Sequence, residues 1–311
     1  MDHFLALDIL LTCPAAHEFN EDVIRVMRIG QKRLLSSPSE LAINSVHGLA
    51  FHRGLGTPLY PTSSTAFTKY LSAEGVADFG AAAFSKENIA IVANGASHSD
   101  LSKWVREFHE STPSGGSRLE SPASKYHGGE ERIAHDGGNI MILAFPGSSS
   151  FTSGASYKPE IAVLAALLGG ESSIKWTPGF SLLANAASEY QHAHVSTQNH
   201  AYSDAGLLAI TLTGNATQIA KASKNVVEAL KKIASGSVGS EEIKKAIALA
   251  KFTALESGQD INTGLEATGS GLIRGGKAYQ IDEIADAIEK VTEGKVKTVS
   301  LDPTRPSMND S

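Results

Sequence analysis

Histidine is the residue type in this chain with the widest chemical reach, and there are 11 among 311 residues. Each could ligate a metal or exchange a proton near neutral pH. Their spacing offers little for a shared ion. His47 and His52 lie five apart on one predicted helix, which turns them roughly 140° away from each other. Neither His-x-x-Glu-His nor His-Glu-x-x-His occurs in the sequence. His192 and His194 share a strand face, with His200 past the strand end, so a three-histidine cluster is geometrically allowed. No carboxylate or fourth ligand accompanies it by spacing, and ordinary polar or partly buried histidines are the simpler reading.

Other chemistry is equally thin. Gly169-Gly170, Gly269-Ser270-Gly271 and Gly275-Gly276 suggest phosphate loops. Neither Gly-x-x-x-x-Gly-Lys-Ser/Thr nor Gly-x-Gly-x-x-Gly follows a strand, and Lys175 lies on the wrong side of its glycines, so helix ends and a mobile loop explain these residues. No Gly-x-Ser-x-Gly elbow presents a serine nucleophile. Cys13, the single cysteine, has no disulfide partner and no thiolate company for a structural zinc; it leaves the redox compartment open, leaning to a reducing one. Asn215-Ala216-Thr217 fits a glycosylation acceptor, but Asn215 stands where a helix begins and reads as its cap. Of the two tryptophans, Trp104 fits a core stripe, and Trp176, on a loop, is either core or an interface anchor.

The elements that must position these residues follow from periodicity. His17 to Leu35 places Phe19, Val23, Val26, Met27, Gly30 and Leu34 on one stripe of an amphipathic helix. Further helices are expected over Glu40 to Phe51 and Thr68 to Phe84, then a buried strand from Asn88 to Ala93, and a helix turning Leu101, Trp104, Val105 and Phe108 inward. A Ser/Pro/Gly-rich linker runs from Ser111 to Lys125. Beyond it come an edge-like strand over Glu130 to His135, a strand from Asn139 to Phe145, and a helix from Pro159 to Leu168. After Gly169-Gly170, Pro178-Gly179 marks a loop between packed helices. Strands His192 to Asn199 and Gly206 to Leu212 form an antiparallel pair joined through Tyr202 to Ala205. The C-terminal helices start at Asn215, at Ser240 as cap, at Asp260 and at Gln280. Two helix-to-strand units, Ala73 to Ala93 and Ile281 to Leu301, look like a weak internal repeat.

The bulk numbers set the frame: 41% hydrophobic and 19% charged residues describe a globular protein, and 311 residues suggest two domains. A net charge of -6 provides no broad cationic surface for nucleic-acid phosphates. The longest apolar run, Ile161 to Leu168, is too short to span a membrane, so membrane contact is peripheral. Strands followed by a run of helices indicate an α+β fold with helices on one face of an antiparallel sheet.

Five stretches carry a resemblance: Asn44 to Tyr60, Asn88 to Gly95, Lys125 to Glu130, Leu168 to Lys175 and Ala201 to Leu207. Together they resemble the core protein 2 family of mitochondrial ubiquinol-cytochrome c reductase, respiratory complex III, of the fungal type. That family is a non-catalytic relative of the insulinase-like and mitochondrial processing metallopeptidases. The resemblance runs from about His17 to Thr298. It implies two similar α+β halves, each an antiparallel or mixed sheet covered by helices, the first half incomplete and both ends cut. The domains expected are 1–113 for the C-terminal portion of the first half, 114–127 for the linker, 128–301 for the second half and 302–311 for an atypical tail.

In active members of the superfamily two histidines and the general-base glutamate come from an inverted His-x-x-Glu-His motif, and a third zinc ligand from a later helix. The resemblance places that helix at Val26 to Leu35, where active peptidases read Arg-Glu-Met-x-Glu. This chain reads Arg28-Ile29-Gly30-Gln31-Lys32, so Ile29 and Lys32 stand in the acidic places. A hydrophobe and a cation cannot ligate zinc. The loop from Leu168 to Ala184 has the position of a presequence-handling glycine-rich loop, but carries Ile174, Lys175, Trp176 and Phe180 instead of flexible residues. The resemblance therefore implies a structural subunit with no catalytic, cofactor-binding or metal site. Its partners would be core protein 1 and other complex III subunits, in a pseudo-symmetric hetero-oligomer within a dimeric complex. It would bind no nucleic acid and lie on the matrix side of the mitochondrial inner membrane. The competing reading is a presequence-binding or catalytic subunit of a processing-type zinc metallopeptidase.

Overall fold

The computed structural model describes residues 21–58, 72–112, 122–153, 156–170, 181–188, 193–274 and 277–299. Its centre is an antiparallel sheet of three strands among those residues: β1 (Asn139–Pro146), β2 (Ala193–Ala201) and β3 (Gly206–Gly214). Their order is β1-β3-β2. Ile142 stands opposite Thr211, and Val195 opposite Leu212. The central strand, Gly-Leu-Leu-Ala-Ile-Thr-Leu-Thr-Gly, is apolar on both sides because both of its faces are covered. β2 alternates instead, with Ala193 and Val195 buried and His194, Ser196 and Gln198 exposed, so one face of the sheet stays open along this strand.

Helices cover the other face. They are α5 (Pro159–Leu168), α6 (Leu182–Ala187) and α7 (Ala216–Ala234), with α8 (Ser240–Ser257), α10 (Ile281–Glu289) and α11 (Glu293–Val299) packed outside or beside them. α5 is buried nearly all round, as its apolar sequence requires: Ile161, Leu164 and Leu168 are each at most 1% exposed. α7 is amphipathic, with Ile219, Ala222, Val226, Leu230 and Ile233 in the core. Asn215 caps it by accepting from Thr217 N–H at 2.9 Å, and Gly236 leaves it at φ +72°. Between these elements, α9 (Ile261–Ile273) starts on an Asp260 cap.

The preceding helices are α1 (Glu21–Ser36), α2 (Pro38–Phe51), α3 (Ala73–Ala83) and α4 (His98–Ser111). α2 packs on β1, on the face opposite α5 and α7.

The α+β class, β1, α5, the β2–β3 hairpin and α7 form as the sequence predicts. Three expected strands do not. Ile89 is extended, yet it follows a short 3-10 turn, Lys86–Asn88, and pairs with no strand among the described residues. An apolar run sets the local conformation; a ladder needs a neighbour. Glu130 to His135 is held by α1 and α2 instead of the sheet: Ser45 Oγ donates to Glu131, and His135 Nε2 donates to the Leu35 carbonyl at 2.9 Å. Val296 to Val299 is helical, part of α11, where Lys297 pairs with Glu293 one turn back and Val296 is buried. The suspected helix-to-strand repeat is therefore absent from both of its places. Smaller corrections follow the same logic. Gly239 caps α8 in place of Ser240, with Glu242 accepting from its N–H at 3.2 Å. Gly269 and Gly271 lie inside α9 instead of at an end, Gly271 where the Lys277 carbonyl and Thr152 leave no room for a Cβ. Trp104 is 39% exposed and so is not a core residue. On α1 only Leu34 of the expected stripe is buried among the residues with described side chains, and Val26 is 63% exposed.

Candidate functional site

The polar residues that converge do so where α2 meets the sheet. Ser37 caps α2 by accepting from Glu40 N–H, and the helix carries His47, Ala50 and Phe51 on its buried side. It delivers His47 to the β2–β3 turn. The Ile43 carbonyl can only accept, so His47 Nδ1 carries the proton and donates to it at 2.7 Å. In the neutral ring Nε2 then accepts from the Tyr202 hydroxyl at 2.5 Å. His200 approaches edge-on, its ring centre 5.6 Å from that of His47. Burial foremost, and His47 secondarily, push the His200 imidazole below its ordinary range, while burial raises the Tyr202 phenol.

The turn is fixed from every side. Tyr202 N–H donates to the Ala205 carbonyl, Ser150 N–H to the Tyr202 carbonyl, and Asp204 accepts from Ser124 N–H at 2.7 Å. Asn199 clamps Ser148, accepting from its N–H and donating to its carbonyl. Gly206 lies so close to the Ser148 backbone that no Cβ would fit. Phe51, Ala50 and Leu207 form a small core here with Tyr126 and Ala144. Tyr126 donates to the Ala144 carbonyl at 3.0 Å, on the edge of β1 away from β3. At the end of α2, His52 adopts φ +58° and its ring stacks on His127 at 4.1 Å and 5°. Beside this joint runs a groove of about 750 Å³, lined by Leu41, Ser45 and Leu49 of α2, Ile140 and Ile142 of β1, and Ile133.

The structure divides the histidines differently from the sequence pattern. His47 and His52 do diverge, each to its own partner. His192 lies outside the described residues, and His194 and His200 are six residues apart on β2, about 20 Å of strand. His200 joins His47 and Tyr202 instead. No spacing pointed to this trio, because 155 residues separate His47 from Tyr202; the signal was the Ala201-Tyr202-Ser203-Asp204-Ala205-Gly206 turn. Among the described residues no group of three or more His, Cys, Asp or Glu side chains is placed to hold a metal ion.

Ile29 and Lys32 stand on the solvent-facing side of α1, Ile29 62% exposed, with Arg25, Arg28 and Arg33 also exposed on that helix. Gly169 ends α5 at φ +60°, and Ser181 Oγ donates to the Gly170 carbonyl. Cys13, Ile174, Lys175, Trp176, Phe180, Gly275 and Gly276 lie outside the described residues. The arrangement at α2 and the turn can clamp two elements together; it presents no activated nucleophile.

Comparison with known proteins places this geometry. Residues 70–249 match the model of the peptidase M16 inactive domain. The chain is 45% identical over 285 residues to cytochrome b-c1 complex subunit 2, mitochondrial, of Neurospora crassa, covering 91% of this chain and 62% of that protein. It is 33% identical to the protein of the same name from Cryptococcus neoformans, covering 92% and 66%. The chain thus spans somewhat under two thirds of these relatives' length. A solved structure of complex III2 from Candida albicans, with Inz-5 bound, contains a chain with the same fold, at TM-score 0.70 and 15% identity, covering 88% of this chain and 66% of that one. A conserved protein of Enterococcus faecalis V583 shares the fold at TM-score 0.63 and 14% identity.

Proposed function

Because the chain belongs to the peptidase M16 inactive-domain family, we propose that it is a non-catalytic structural core subunit of mitochondrial ubiquinol-cytochrome c reductase, respiratory complex III. Its role is to support assembly and stability of the complex. The observation that carries this reading is the 45% identity to subunit 2 of the cytochrome b-c1 complex. The chemistry of the chain agrees with it. Ile29 and Lys32 supply no zinc ligand on α1, and the exposed Arg25, Arg28, Lys32 and Arg33 would repel a cationic presequence. We assign no catalytic, cofactor or metal residue.

The partners are core protein 1 and other complex III subunits, in a pseudo-symmetric assembly within the dimeric complex. No described helix is long and apolar enough to cross a membrane. Attachment is therefore peripheral in this proposal, through the complex on the matrix side of the inner membrane. Residues 1–113 form the end of a first peptidase-like half, 114–127 the linker, 128–301 the second half and 302–311 a tail; the continuous core from Ile161 to Val296 supports the second unit.

Native electrophoresis of solubilised mitochondria, probed for this chain, tests the assignment. Co-migration with cytochrome b and cytochrome c1 is expected. Migration apart from complex III, together with zinc-dependent cleavage of a presequence peptide by the isolated chain, would replace this reading with the processing-peptidase one.

A further inference from the structure

Two imidazole pairs sit at one joint. His47 and His200 meet edge-on with ring centres 5.6 Å apart, and His52 and His127 are stacked at 4.1 Å. In each pair one ring belongs to α2 or its C-terminal cap and the other to what α2 rests on, the sheet or the segment leading into it. The other ties at this place are the Tyr202 to His47 and Tyr126 to Ala144 hydrogen bonds, the His127 N–H to Ala50 carbonyl bond, the contacts of Phe51 and Leu207 and, earlier on α2, the bond from Ser45 to the Glu131 carboxylate. We propose that the two pairs form a proton-operated clasp, which holds α2 on the sheet while His200 and His127 are neutral and releases it when they are protonated.

A proton on His200 is opposed by the half-burial of its edge-on contact with His47. At the stacked pair, a proton on His127 is opposed by local desolvation and by the positive Lys125 beside it.

The surrounding charges do not offset this. β1 and β3 carry no ionisable side chain, and β2 carries only His194 and His200. On the segment after the linker, Lys125 adds positive charge, Glu130 is paired with Arg132, Glu131 accepts from Ser45, and His135 donates to the Leu35 carbonyl. Asp204 in the turn is occupied by Ser124 N–H. α2 and its exit bring Glu40, at the far end of the helix, and Arg53; α1, packed on α2, brings Arg25, Arg28, Lys32 and Arg33, with Glu21 and Asp22 in its first turn. Burial first and His47 second lower the His200 imidazole; local desolvation first, then His52 and Lys125, lower that of His127. Both rings thus favour the neutral form when the joint is closed. The closing contribution is complete above the ordinary imidazole value of 6.5 and is lost as pH falls below it through the closed-state values.

Amide hydrogen exchange of the full chain at about pH 7.5 and about pH 5.5, corrected for the intrinsic pH dependence of exchange, reads the clasp directly. Relative to α7, whose core carries no histidine, protection over 38–51 should fall roughly tenfold on acidification. The double variant His200→Asn, His127→Asn should lose that response. Unchanged relative protection in the unmodified chain, or the same fall in the variant, would overturn the proposal. Imidazole titration of the unmodified chain by NMR needs no variant: His200 and His127 should take up protons together with the opening of α2, and their protonation with α2 still protected would equally overturn it.

Discussion

Replacing Tyr202 with phenylalanine isolates the hydrogen bond that joins α2 to the β2–β3 turn. The ring stays, and with it the edge-on contacts to His47 at 5.6 Å and Phe51 at 6.5 Å. Only the hydroxyl that donates to His47 Nε2 is lost. His47 is 9% exposed, and its Nδ1 proton is committed to the Ile43 carbonyl, so Nε2 is left as a nearly buried acceptor without a donor. A typical intramolecular hydrogen bond contributes about 1 kcal/mol net, and an orphaned buried acceptor costs about 1–3 kcal/mol, so a loss of about 1–2 kcal/mol is expected. Equilibrium urea unfolding measures it. Tyr126→Phe is the comparison: its hydroxyl ties down the β1 edge, whose Ala144 carbonyl is only partly buried, and about 0.5–1 kcal/mol should be lost there. A double-mutant cycle of Tyr202→Phe with His47→Leu should return a coupling of about 1 kcal/mol. If Tyr202→Phe unfolds within about 0.3 kcal/mol of the parent chain and the coupling vanishes, the joint is not held as argued.

Other perturbations reach different layers of the structure. Leu164→Ala, in the fully buried α5, should cost about 2–5 kcal/mol in the same unfolding experiment. Gly206→Ala drives a methyl into the Ser148 backbone and should destabilise by about 1–3 kcal/mol or more, with loss of the turn's amide protection. Asn215→Ala removes the cap of α7 and should cost about 1 kcal/mol, whereas Asn215→Gly should cost only a few tenths. The Tyr157 phenol is pushed up to about 12 by burial, then by Tyr279 and Glu160. Its neutral form is favoured on folding, so its contribution is whole below pH 10 and lost as pH rises toward 12. Ultraviolet titration should show this phenolate appearing last among the tyrosines or together with alkaline unfolding.

The sequence was most legible where local pattern and tertiary environment agree. α5 reads as buried because it is apolar all round, α7 because its stripe has a helical period and a cap, and the hairpin because polar turn residues separate two β-rich runs. The expected strands over Asn88 to Ala93, Glu130 to His135 and Val296 to Leu301 expose the limit. Residue type can favour an extended backbone, but whether a ladder forms depends on a partner strand that periodicity does not reveal. Val296 went further and entered a helix, because one side of that turn packs on α5 and the other carries the Glu293 and Lys297 pair. The identities of Ile29 and Lys32, on which the proposed lack of a zinc ligand rests, were readable in place. The His47, His200 and Tyr202 trio was not, since its members come from a helix and a hairpin far apart in the chain. The resemblance to complex III core proteins came from whole motifs, such as the Tyr202 turn, whose physical work is visible only once folded.

The central claim is structural support of complex III, and deletion of the coding sequence for this chain tests it most directly. Spectroscopic quantification of assembled, ubiquinol-oxidising complex III in the deletion strain should show severe loss, restored by re-expression of the intact gene. A deletion strain that retains normal amounts of assembled, active complex III would contradict the account.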